Sequence, residues 1–234
     1  MIARNLARRL GLARGELVPC RGCLGPAGPG SEAGLCPRCW SGLVPLAEGR
    51  CGACALAHAG GACPDPRAWE LGDALWDYRG GRPPLGALLV PGIKAGEAGW
   101  RRALLDRVAQ APLPPWAGEV DRVTSAPGTF LPGLLRGFNL AAEAARALAA
   151  RLDRPWVPLL QKAWLRGRQA GRARGVRRRL PRHAITLRRD ARPSGIVLLV
   201  DDVWTTGTTL LRCAQALHQG GADEVRVLTL FRAQ

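Results

Sequence analysis

The chain has 234 residues, 47% of them hydrophobic, and a formal net charge of +16. That is enough apolar material for a packed core, which excludes wholesale disorder, and no uninterrupted apolar run approaches the ~18–20 residues of a membrane-spanning helix. The positive charge is almost entirely arginine, Lys94 and Lys162 being the only lysines, and it points to an anionic partner. The first stretch, MIARNLARRLGLARGEL, is basic and helical in pattern and predicts an N-terminal helix within 1–19. It has neither the apolar run of about 7–15 residues nor the small-residue cleavage site of a secretory signal, so the expected location is the cytoplasm.

Seven of the eight cysteines follow between Cys20 and Cys63. Cys20-x2-Cys23, twelve residues and Cys36-x2-Cys39 have the spacing of a four-cysteine zinc site: each tight turn delivers two thiolates, and its backbone amides bond the sulfurs. Disulfides are disfavoured without a secretory signal. Cys51-x2-Cys54 and Cys63 supply three more ligands; Pro66 stands where a fourth cysteine is expected, so either His58 or Asp65 takes its place or this second knuckle is degenerate and metal-free. Spacing does not say which turns share a metal. Few large apolar residues lie between about 20 and 66, so metal is expected to supply folding energy on the order of 10 kcal/mol or more.

Alternation over 71–80 predicts a strand or hairpin, and Pro83-Pro84 open a helix expected to end near Pro91-Gly92. A second helix is expected over 97–110, a proline-rich connector over 111–118, a strand over 119–126 and a Gly/Pro-rich loop over 127–137. Asn139 can cap an alanine-rich helix to Leu152, and PWVPLL (155–160) reads as a short strand. Between Arg151 and Arg192 fourteen basic residues face only Asp153 and Asp190, which concentrates +12 of the charge there. Within it, Arg166, Arg168, Arg172, Arg174, Arg177, Arg178, Arg179 and Arg182 form an acid-free run, expected to be a long loop. Such a run could close over a phosphorylated ligand or track a nucleic-acid backbone. The apolar stretch GIVLLVDD (195–202) reads as a buried parallel strand, followed by a helix over 207–219 and a strand over 224–231. Strands alternating with helices argue an α/β parallel sheet.

The strongest chemical signal is Val200-Asp201-Asp202-Val203-Trp204-Thr205-Thr206-Gly207-Thr208-Thr209. Two carboxylates at the C-terminal edge of a strand can accept hydrogen bonds from sugar hydroxyls. The Thr-rich turn into the helix offers amides, hydroxyls and a favourable dipole to a phosphate, and Gly207 permits close approach. Together they describe a ribose 5-phosphate site. No lysine follows the glycine, so the turn is not a Walker A loop. Trp164 and Trp204 flank the basic run and this turn, where either could stack on a base. His183 reads as loop filler, His218 as structural and Cys213 as a small buried hydrophobe.

That segment looks like the phosphoribosyl-pyrophosphate (PRPP) motif of type I phosphoribosyltransferases. With the cysteine turns, Ile93-Lys94 with Gly96, Arg136-Gly137-Phe138-Asn139, and Gln169 with Arg177, the chain resembles the ComF family from Cys20 to Phe231. The resemblance implies an α/β fold over 71–234: a type I phosphoribosyltransferase-like parallel sheet with helices on both faces. A small zinc-ribbon-like module over 20–70 precedes it. It implies structural Zn²⁺ on Cys20, Cys23, Cys36, Cys39, Cys51, Cys54 and Cys63. It places PRPP or a related phosphosugar on Asp201, Asp202, Thr205, Thr206, Gly207, Thr208 and Thr209. Lys94, Arg136, Asn139, Gln169 and Arg177 match further family positions about the pyrophosphate and its loop. The loop Ser125–Leu135 lacks the family's basic residues, Leu140 replaces a Gln and Leu180 an Asn. Phosphate binding is thus implied to be retained and pyrophosphate handling eroded.

The function implied is a DNA-uptake factor of natural transformation that binds single-stranded DNA through the arginine run and PRPP in the sheet-edge site. The alternatives are an active phosphoribosyltransferase, using PRPP with Mg²⁺ and a nitrogenous base, and a zinc-dependent adaptor for a helicase-like translocase.

Overall fold

A computed structural model describes residues 18–58, 63, 67–128, 138–162 and 184–233. The predicted N-terminal helix and the arginine run from Arg166 to Arg182 lie outside these residues. The core is a four-stranded parallel sheet in the order β1 (Leu71–Asp77), β6 (Glu224–Arg232), β5 (Ile196–Trp204), β2 (Arg122–Ser125). The central strands β5 and β6 bury apolar residues on both sides because both sheet faces are covered. Leu198 and Val200 of β5 face a layer of three helices: α2 (Leu85–Lys94), α3 (Ala98–Gln110) and α4 (Leu140–Leu152). Val197 and Leu199 face α5 (Thr208–Gln219) and the small antiparallel pair β3 (Leu160–Lys162) and β4 (Ile185–Leu187). The expected parallel sheet with helices on both faces is the architecture found.

Three boundaries differ from expectation, each for a packing reason. The first helix does not stop at Pro91 but continues to Lys94. Pro91 removes one intrahelical donor, but a Cβ at Gly92 would lie 2.3 Å from the Trp100 ring, so the bare glycine lets α3 press against α2 and hold the last turn. Residues Pro115–Glu119 form a 3-10 helix rather than the start of a strand, and β2 begins only at Arg122. The segment 155–160 makes a single parallel bridge, Trp156 to Val123, before β3 starts at Leu160. Pro155 and Pro158 cannot donate to a ladder.

The cysteine-rich segment is not a body apart. Its short helix α1 (Pro37–Trp40) contributes Cys39 and Trp40 to the α2–α3 core, and Cys54 and Ala55 join the core of the other face. It also covers edge strand β1: Pro45 bridges Trp76, the Asp77 amide donates to the Val44 carbonyl (2.9 Å) and the Gly72 amide to the Gly52 carbonyl (2.8 Å). A strand edge that would otherwise be open to pairing is thereby closed. Among the described residues no helix is long and apolar enough to cross a membrane.

Candidate functional site

The sheet opens a crevice where neighbouring strands end at different heights. β2 stops at Ser125, opposite Val200, while β5 runs on beside β6 to Trp204. Asp201 and Asp202 therefore lie within β5 rather than at its end, as expected from sequence. They reach one cleft because the chain after β2 turns away and leaves β5 uncovered on that side. The cleft has a volume of about 490 Å³ and is walled by Ala126–Gly128, Phe138–Leu140, Asp201–Val203, Thr209 and both lysines.

The lysines are the feature sequence reading only half found. Lys94, at the C-terminal end of α2 where a cation suits the helix dipole, forms an ion pair with Asp202. Lys162, on β3, was not among the expected site residues, yet it lines the same cleft. The signal was there: in a chain whose cations are arginine, the two exceptions meet in one pocket. An ammonium group is a compact point charge suited to phosphate oxygens, whereas arginine brings a wide planar fork. Burial lowers the Lys162 pKa, opposed by the charge of Asp201. Burial, with repulsion from Asp202, raises Asp201 to about 7, against the pull of Lys94 and Lys162.

That shift gives a first expected result. A carboxyl whose folded pKa lies above its unfolded value of 3.8 holds a proton in the fold that the unfolded chain has lost, so stability falls as pH rises from about 4 to about 7 and is level above. Asp201→Asn removes the penalty. In ligand-free protein at pH 8 it should stabilise by an amount on the order of 1–4 kcal/mol, with little effect at pH 4; thermal denaturation at the two pH values checks this.

On the phosphate side, Gly207 takes a left-handed conformation (φ +70°) at the N-terminus of α5, which costs a glycine nothing. Thr205 and Thr206 are exposed, the Thr206 and Thr208 hydroxyls lie 3.0 Å apart, and Thr209 alone of the run lines the cleft. The first-turn amides of α5 have no intrahelical acceptor and face the sheet's C-terminal edge. Asn139 has a positioning part: its Oδ1 accepts from the Ala141 amide (3.2 Å) to cap α4, and its Nδ2 donates to the Ala126 carbonyl (3.0 Å) at the cleft wall. Arg136, Gln169 and Arg177 lie outside the described residues.

Trp204 cannot stack on a base. It is 1% exposed and meets Trp69 edge-on, with ring centroids 5.3 Å apart. The strand extends past the acid pair and turns this side chain under the loop instead; Trp164 lies outside the described residues. His218 is structural, paired with Glu70 at 3.6 Å, and Cys213 is fully buried.

The cysteines assemble into two groups, each able to hold a metal ion: Cys20, Cys23, Cys36 and Cys39, and Cys51, Cys54, His58 and Cys63, with donor atoms within 4.8 Å of one another in each. His58 thus takes the place that spacing left between His58 and Asp65; Asp65 lies outside the described residues. All the cysteines are free thiols. The Cys20–Cys39 and Cys23–Cys36 sulfur distances, 3.5 and 3.8 Å, fit the edge of a tetrahedron with Zn–S bonds of about 2.3 Å. Burial pushes the Cys20 and Cys51 thiols up, but neighbouring backbone amides and side chains together outweigh it and bring each down to about 6. Burial pushes Cys54 up to about 11.

The family description "Phosphoribosyl transferase domain" matches residues 129–234. Over 212 residues, 85% of this chain and 84% of the relative, the chain is 30% identical to the DNA utilization protein YhgH of Salmonella typhi. Among solved structures it is similar to the glutamine PRPP amidotransferase from B. subtilis, with 26% identity, 55% of this chain and 25% of that chain covered, and a TM-score of 0.37. The chain thus spans only about a quarter of that enzyme's length. It is also similar to the adenine phosphoribosyltransferase from Thermoanaerobacter pseudethanolicus, with 20% identity, 61% and 84% coverage, and a TM-score of 0.36.

Proposed function

The chain belongs to the ComF family and carries a phosphoribosyltransferase-type domain, and on that premise we propose that it serves DNA utilisation as a protein that binds PRPP or ribose 5-phosphate together with single-stranded DNA. The observation that carries the ligand is the meeting of Asp201, Asp202, Lys94 and Lys162 in one cleft beside the N-terminus of α5. The carboxylates accept from the ribose hydroxyls, and Thr205–Thr209 with the first-turn amides take the 5-phosphate. Lys94 and Lys162 answer the charge of a pyrophosphate. The loop Ser125–Leu135 has no cations in its sequence, and α2 and β3 bring Lys94 and Lys162 to the cleft. Asp201 and Asp202 are the residues that would hold Mg²⁺, which would supply positive charge to a pyrophosphate. Equilibrium dialysis of PRPP with Mg²⁺ against the full chain tests the reading: saturable binding supports it, and no binding at millimolar PRPP overturns it.

DNA is assigned to the arginine run, Arg166 to Arg182, whose charge exceeds what one PRPP can engage. On this reading 20–70 is a zinc-ribbon-like module and 71–234 the phosphoribosyltransferase-like, ligand-binding domain, preceded by a stretch, 1–19, that is basic in sequence. Unpaired thiols throughout suit a reducing cytoplasm. Metal analysis of chain purified without chelator is expected to give about two zinc equivalents, because His58 completes the second group; folded protein without zinc contradicts the assignment.

Turnover is the second reading, and one observation favours it: the adjacent Asp201 and Asp202 and the threonine turn into α5 stand together at the cleft. Release of pyrophosphate from PRPP in the presence of a nitrogenous base distinguishes an enzyme from a binding protein.

A further inference from the structure

Three successive peptide groups of the second cysteine turn face two ways. The Ala53 and Cys54 amides bond the Cys51 sulfur. The carbonyls of Gly52, Ala53 and Cys54 point away and accept from the Gly72 amide (2.8 Å), Trp69 Nε1 (2.7 Å) and Arg232 Nε (3.0 Å). The last two donors belong to side chains that also hold the turn between β5 and α5.

Arg232 Nη1 donates to the carbonyls of Trp204 (3.0 Å) and Thr205 (2.6 Å), and its guanidinium lies 4.7 Å from the Trp204 ring centroid. The Trp69 ring abuts Trp204, and its tip would lie 3.6 Å from a Cβ at Gly207. One guanidinium and one indole therefore connect the carbonyls of the Cys51–Cys54 turn to both ends of the stretch from Trp204 to Gly207. Both are buried, with Trp69 4% and Arg232 2% exposed, so the links are not diluted by water. Beneath the same stretch, Trp204 Nε1 is buried without an acceptor among the described residues, 3.0 Å from where a Gly207 Cβ would stand. The floor of the turn thus keeps an unclaimed donor for an oxygen brought down on it. The first cysteine group has different connections: Trp100 Nε1 donates to the Ala33 carbonyl and Arg21 pairs with Glu97, both on the α3 side.

We propose that Arg232 and Trp69 are positioning residues for the turn from Trp204 to Thr209, and that the group Cys51, Cys54, His58 and Cys63 anchors them when it holds its metal. Metal at this group and ligand at the turn then favour each other. The second half of the statement rests on the phosphosugar reading given above. The physical chain is short. A metal draws four donors together and fixes the peptides between Cys51 and Cys54. Their carbonyls fix the guanidinium and the indole, and these fix the backbone on which a phosphate would sit. Without the metal a turn with little core of its own is free to shift, and a buried guanidinium loses an acceptor it cannot easily replace. Because the coupling is between two binding equilibria, it is reciprocal.

The test compares the zinc-loaded full chain with Cys63→Ser, which removes one ligand, and Trp69→Phe, which keeps every ligand and the ring contact but deletes the donation to Ala53. Amide hydrogen exchange is followed by mass spectrometry. Exchange over 205–210 is expected to quicken at least fivefold in both variants, with α4 unchanged and the first zinc retained. Ribose 5-phosphate should bind at least fivefold more weakly to both, and in wild-type protein it should slow loss of the second zinc to a chelating dye. If Cys63→Ser does not fold, Trp69→Phe decides alone. Unchanged exchange over 205–210 in Trp69→Phe, or in a folded Cys63→Ser that has lost one zinc, overturns the proposal. If exchange responds but wild-type protein does not bind ribose 5-phosphate, the anchor stands and the phosphosugar reading falls.

Discussion

Replacing Asp201 and Asp202 together by asparagine is expected to weaken PRPP or ribose 5-phosphate binding at least tenfold. Each carboxylate that accepts from a ribose hydroxyl makes a charge-assisted hydrogen bond worth ~1.5–3 kcal/mol, and asparagine keeps the shape but loses the charge. The substitution also strips Lys94 of its ion-pair partner and removes both carboxylates from the cleft that Lys94 and Lys162 line. Inorganic phosphate, which needs no sugar contact, should bind the double variant as well as or better than wild-type protein. Calorimetry with both ligands separates the two ends of the site: a parallel loss for phosphate and phosphosugar would mean that the cleft has been damaged rather than the sugar subsite removed.

The second large effect is expected at the arginine run. Eight arginines in the seventeen residues from Arg166 to Arg182, without an acid, repel one another unless a longer polyanion lies along them. If single-stranded DNA brings about four phosphates to them, the slope of log affinity against log salt is roughly −3, at ~0.7 per phosphate, and affinity falls about fifty-fold between 50 and 200 mM salt. Changing Arg174, Arg177, Arg178 and Arg179 to alanine should flatten the slope and weaken binding for every sequence alike, with zinc content untouched. Fluorescence anisotropy with a labelled oligonucleotide at several salt concentrations reads both. A variant that keeps its DNA affinity but loses PRPP would make the run a cover for the ligand site; one that changes neither would make it a solvated surface.

What could be read from sequence was the chemistry that is contiguous in the chain. The acid pair and the threonine turn stand side by side, the cysteine turns announce themselves by spacing, and apolar runs such as Val197–Val200 mark the buried parallel strands. What could not be read depends on residues far apart. The helix that carries Lys94 past Pro91 is held by Trp100 against Gly92. Lys162 reaches the cleft because β3 returns beneath it after a proline-broken segment. The crevice exists because β2 ends before β5 does, a matter of register between strands some 75 residues apart. The tryptophan of the turn reads as an exposed platform by its neighbours, yet it becomes a floor because β5 runs two residues beyond the acids. That His58 joins Cys51, Cys54 and Cys63 depends on the path of the chain, not on spacing.

A phosphoribosyl site differs from a general anion site in holding sugar and phosphate at once. The most direct measurement is therefore a calorimetric comparison of ribose 5-phosphate, free ribose and inorganic phosphate on the wild-type, zinc-loaded chain. The carboxylates of β5 and the turn into α5 act on a single ligand in this cleft, so ribose 5-phosphate should bind at least tenfold more tightly than either fragment. Equal affinity for ribose 5-phosphate and phosphate, or no heat from ribose 5-phosphate at all, would contradict the assignment of Asp201 and Asp202 to a sugar.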